Sequence, residues 1–233
     1  MESNVNPFSS NLIRWAGLAA VAAGITFAAI QPTHPPDVLA SVTTDVWAIL
    51  TPVKTVMAFL FLVGITGLYA RQAKEAGWLG LAGYLVLSIS WALNLAFIFS
   101  EAFVLPVLAT TAPAFVDGYL GVAAGRSSEV YLGSLPMLFG LVGILYMLGG
   151  LLFGIATFRA GILPRWAAVL LAAASALTPA AALLPHEIQR WAAIPVGLAL
   201  AWLGYALWAD RREPPVQARS GGAGATIRQT SAK

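Results

Sequence analysis

The sequence predicts an all-α fold: a polytopic transmembrane bundle of six membrane-spanning helices, with both the N- and C-termini cytoplasmic. Three observations carry that expectation. Apolar residues make up 59% of the 233 and charged residues only 10%, against about 25% charged in a typical soluble domain, so one aqueous core cannot hide the apolar surface. Six apolar runs, near 13–30, 46–70, 79–104, 133–158, 165–185 and 192–209, each approach the roughly 20 residues a membrane helix needs. The basic residues also sort to one side of these runs.

Runs of this length read as helices because backbone groups cannot go unpaired in hydrocarbon. The strands of a membrane barrel would instead alternate over about 10 residues. With the N-terminus inside, the inner side holds Arg14, Arg71, Lys74, Arg159, Arg165, Arg211, Arg212, Arg219, Arg228 and Lys233. The outer side holds Arg126 and Arg190, and Lys54 falls within a span. Ten basic residues against two is the positive-inside pattern, which assigns a multi-pass protein of the cell (inner) membrane. The acids Asp37, Asp45, Asp117, Glu129 and Glu187 gather outside.

The first run has a competing reading as a cleaved signal peptide, but its polar leader is long and carries a single basic residue, Arg14. Residues 1–210 form the six-helix domain. The tail 211–233, with Pro-Pro, Gly-Gly and no apolar periodicity, reads as disordered. The outer segment 105–132 is either a short interfacial helix around Phe115, Tyr119 and Leu120 or a loop packed over the helix ends.

On the inner side, "RQAKEAGW" and "RAGILPRW" are tight connections, so helices two and three, and four and five, are expected to be antiparallel neighbours. Arg71 or Arg159 stands near the negatively polarised end of one helix, and Gly77 or Gly161 permits a left-handed turn. Pro164 suits the first turn of helix five, followed by Arg165. The repeat of Arg, Gly and Leu reflects either turn chemistry or duplication. Around Arg159, Gly161, Pro164, Arg165 and Trp166 the second hairpin resembles the cytoplasmic RAGxLPRW-type hairpin of a loose group of uncharacterised bacterial multi-span integral membrane proteins. The resemblance implies a polytopic fold of about six helices and transfers no activity.

Candidate chemistry is sparse. Lys54, about 12 Å below the outer end of helix two, is the ionisable residue that hydrocarbon tolerates least, at about 2.5–3.5 kcal/mol on insertion scales. Ser90, Asn94 and Glu101 share one face of helix three within about 40°. Lys54 is read first as a structural partner of Glu101 or Asp45, and second as part of an anion-binding or proton-linked site. Pro52 frees the carbonyl of Ala48 one turn away. Gly143, Gly150 and Gly154 mark a helix-packing face on helix four, and Ala16, Ala20 and Gly24 make a similar strip on helix one. Trp15, Trp47, Trp78, Trp166, Trp191 and Trp208 read as an interfacial belt.

"HEIQR" at 186–190 lacks the second histidine of a zinc motif, with Arg190 in its place. "GSLP" lacks the nucleophile elbow, and the histidines, His34 and His186, sit on outer loops where they are poorly placed for haem. No metal or cofactor is therefore expected. The expected partners are the lipid bilayer and a membrane-protein partner or second copy; a net charge of +3 makes no case for nucleic acid. The function expected first is a non-enzymatic accessory, assembly or scaffold component. The alternative is a small transporter or channel with a polar outward-facing cavity around Lys54, Ser90, Asn94 and Glu101.

Overall fold

The computed structural model describes residues 7–181, 183–185 and 189–210. Every element in them is helical: α1 (Pro7–Ile30), α2 (Leu39–Val42), α3 (Asp45–Phe103), α4 (Leu105–Thr111), α5 (Pro113–Ala123), α6 (Leu135–Ala160), α7 (Arg165–Ala176), α8 (Thr178–Ala181), a 3-10 turn (Arg190–Ala193) and α9 (Ile194–Ala209). Four stretches are long and apolar enough to cross a membrane: Asn11–Ile30, α3, α6 and Arg190–Ala209. The boundaries follow local chemistry. Thr44 caps α3 by accepting from the Trp47 N–H, and Asp45 sits in the first turn. Prolines stand in the first turns of α4, α5, α6 and α9, where no helical donor is lost.

With 59 residues, α3 would be about 88 Å long if straight. It is folded at Gly77, whose φ of 56° and ψ of −152° lie outside helical space. Its two limbs, 45–76 and 78–103, run back along each other. Lys54 meets Glu101, Phe61 packs on Trp91 and Tyr69 stacks on Tyr84, the pairs stepping in towards Gly77 from both sides. No atom lies within 4 Å of where a Gly77 side chain would start, so its conformation alone demands glycine.

α6 and α7 each reverse direction again. The second limb packs against α6, with Gly83 facing Phe153 and Gly149 facing Leu87. α6 packs against α7, where Gly150 meets Ser175 and Gly154 meets Ala168 and Ala172. α7 packs on α9, and α9 returns to α1 through Gly17 against Gly204 and Gly24 against Gly197. α1 completes the circle on the first limb, where Gly64 and Gly67 meet Ala20 and Ala16. The result is a closed ring in which glycine and alanine bring backbones together. At the hairpin end its centre is filled by Ile65, Leu68, Phe153, Leu171, Leu203 and Leu207. Large apolar side chains such as Ile49, Val56, Phe59 and Leu198 point outward instead.

Three expectations change here. The fifth apolar run does not make one continuous helix: α7 has 12 residues and α8 is separate, because Pro179 brings no N–H to carry the ladder past Leu177. Gly143 packs against nothing, with no atom within 4 Å of an added Cβ; it lines a cavity, while Gly150 and Gly154 make the helix contact. Trp47 is fully buried, unlike the exposed Trp15, Trp78, Trp166 and Trp191. Its indole is drawn inward by a bond to the Glu101 carbonyl.

The segment after Phe103 forms two helices, and it also packs: Val116, Tyr119 and Leu120 are buried with Phe97 and Val142. At the hairpin end Arg71 pairs with Asp210 at 2.5 Å, Arg14 donates to the Trp208 carbonyl, and Gln72 donates to Thr157. Gly161 adopts φ 66° as the left-handed cap of α6, and Pro164 becomes the N-cap of α7, which starts at Arg165. The tail 211–233 and His186–Ile188 of "HEIQR" lie outside the described residues.

Candidate functional site

At the end of the ring away from the hairpins, the packing opens into a cavity of about 440 Å³. Its walls draw on α1 (Phe27, Ile30), on the segment after it (Gln31, His34, Asp37), on both limbs of α3, on α6, and on Arg190 beside α9. The apolar part is aromatic: Trp91, Phe97, Phe139 and Tyr146 line it with Met57 and Ile98. Trp91 is held by rings on three sides, Phe27, Phe61 and Tyr146.

The polar part is built from two ion pairs and a histidine. Lys54 Nζ donates to Glu101 Oε2 at 2.5 Å and to His34 Nε2 at 2.9 Å. An ammonium group only donates, so Nε2 accepts, and the ring proton sits on Nδ1, which donates to the Pro35 carbonyl at 2.7 Å. His34 must be neutral to do this. Burial, then the positive charges of Lys54 and Arg190, push its pKa from 6.5 down to about 4, against the opposing pull of Asp37.

The segment "QPTHPPD" positions the histidine. Pro35 and Pro36 bring no N–H to build a helix there, and the carbonyls of His34 and Pro35 accept from a side chain. Arg190 collects them: its guanidinium donates to the carbonyls of His34 and Pro35 and pairs with the Asp37 carboxylate. Arg126 donates to the Asp37 carbonyl at 2.7 Å. The two basic residues that break the one-sided charge pattern are thus both spent on Asp37.

The side chains of Lys54 and Glu101 keep 12% and 10% of their exposure, so the pair is mostly dry. Two opposite charges so placed hold each other in a way neither could alone. Glu101 is fixed from behind, since its own carbonyl accepts from Trp47 Nε1 at 3.0 Å.

Of the sequence-derived polar cluster, Lys54 and Glu101 meet directly. Asn94 lines the cavity but ties its amide to the Ser90 carbonyl. Ser90 is buried behind the wall, donating to the Val142 carbonyl of α6; it joins two helices and does not reach the cavity. His34, Asp37 and Arg190 were not in that cluster. Their signal was present in the acid and histidine flanking Pro35-Pro36, but pairing them with Arg190 spans 153 residues. Comparisons with known protein families, curated proteins and solved structures return no match to this chain.

Proposed function

We propose that the chain is a six-span integral membrane protein of the inner membrane, both termini cytoplasmic, that binds and passes a small solute through the charged cavity. Counting each limb of α3 separately, and α7 with α8 as one span, makes six. The basic hairpin end, with Arg14, Arg71, Lys74, Arg159 and Arg165, faces the cytoplasm by the positive-inside rule. The cavity then faces out.

The observation that carries the reading is the cavity itself: about 440 Å³, lined mainly by apolar and aromatic groups with a few convergent charges, as small-molecule sites are. An ionisable group within a span, as Lys54 is, is costly and marks solute or proton paths, and the Asp37–Arg190 pair stands at the cavity's mouth. Both pairs stand on this one cavity.

Two measurements test this. Reporters fused after Ala124 and after Lys233 should report opposite sides of the membrane. In proteoliposomes, a solute that raises the melting temperature of the wild type should lose that effect with Gly143→Leu, which fills the cavity where nothing packs. The other reading, a non-enzymatic accessory or assembly component, gives the opposite outcome: no solute effect, and a co-purifying membrane protein lost with Gly150→Leu.

A further inference from the structure

The turn end of the α6–α7 hairpin lies outside the cavity lining, yet it carries three features that converge. The first is electrostatic. Arg159, in the last turn of α6, and Arg165, at the start of α7, are both exposed, and neither pairs with a carboxylate among the described residues. The second is the N-terminus of α7. Its cap is Pro164, which offers no side-chain bond, and the ladder begins only with the Ala168 N–H to the Pro164 carbonyl at 3.2 Å. The N–H groups of the first turn and the positive end of the helix dipole are therefore left to an outside acceptor.

The third is an apolar groove of about 280 Å³ running between the two helices. Its sides are Ile155 and Phe158 of α6 and Val169, Ala173 and Ala176 of α7. The cation and the groove are physically joined, because the Arg165 guanidinium stands 5.7 Å from the centre of the Phe158 ring. Exposed Trp166 follows immediately, and indoles favour the boundary between water and lipid.

We infer that this hairpin is a binding site for one anionic phospholipid, its phosphate at the N-terminus of α7 between Arg159 and Arg165 and one acyl chain in the groove below. A zwitterionic lipid presents the same chain but brings a cation towards two arginines and the positive helix end. Selectivity for the anionic headgroup follows from charge. The inference rests on the membrane reading and is independent of the solute cavity.

The test is native mass spectrometry of the full chain released from detergent, with dioleoyl phosphatidylglycerol and dioleoyl phosphatidylcholine offered in equal amounts. The wild type should retain one phosphatidylglycerol in preference. Arg159→Ala with Arg165→Ala should lower that retention about thirtyfold, two surface cations at about 1 kcal/mol each. Ala173→Phe, an exposed position that would fill the groove, should lower it with both arginines present.

Equal retention of the two lipids by the wild type would overturn the site. So would undiminished phosphatidylglycerol on the double arginine variant, or on Ala173→Phe. Failure of the membrane reading would look different, as a chain that stays in solution with no detergent.

Discussion

Lys54 and Glu101, 47 residues apart, place Nζ and Oε2 2.5 Å from each other as a largely buried pair on the wall of the cavity. The fold at Gly77 makes that meeting, and the Trp47 indole holds the backbone of Glu101 in place for it.

Removing one member of this pair should be costly, because the other is left as an uncompensated charge. Lys54→Met or Glu101→Gln alone should destabilise the protein by about 3 kcal/mol. Replacing both, as Lys54→Met with Glu101→Leu, should recover most of the loss. Unfolding of the purified protein by denaturing detergent measures this; a double variant no better than the worse single one would contradict it.

His34 makes stability depend on pH. Its folded pKa of about 4 lies below the ordinary 6.5, so between those values the unfolded chain binds more protons than the folded one. Stability is then fully present above the upper value and falls as pH drops through the window. His34→Gln keeps an acceptor for Lys54 but does not titrate. Thermal melts near pH 7 and near pH 5 should show the wild type losing more than the variant.

Two glycines of similar appearance should behave oppositely. A Cβ at Gly204 would lie 2.6 Å from the Gly17 carbonyl oxygen, whereas one at Gly143 meets nothing within 4 Å. Gly204→Leu should force α1 and α9 apart and cost about 3 kcal/mol or more. Gly143→Leu should leave the melting temperature of the solute-free protein near that of the wild type. Melting curves of both variants decide the matter.

Gly77→Ala probes conformation without packing, since open space surrounds the position. A φ of 56° with ψ of −152° belongs to a region where side chains cost about 1–3 kcal/mol. The variant should be destabilised by that amount while the limbs still pair. Cysteines introduced at Tyr69 and Tyr84 should continue to cross-link in it.

The sequence by itself determined the helices, their reversals and the gathering of cations at the hairpin end. Each of these is a local property: enough apolar length, a glycine where φ turns positive, arginines beside the turn. Gly77 and Gly161 were legible because a left-handed residue needs no partner. The tertiary structure alone decided which face of each helix meets what. It buried Trp47, left Gly143 open beside closed Gly150, moved Ser90 behind the wall, and drew His34 to Lys54 and Asp37 to Arg190. A helix in a closed ring has two neighbours, and one of them can come from the far end of the chain, as α9 does for α1. The spacing of residues along a helix shows which ones share a face, and only the assembled ring says whether that face looks on another backbone, on lipid or on the cavity.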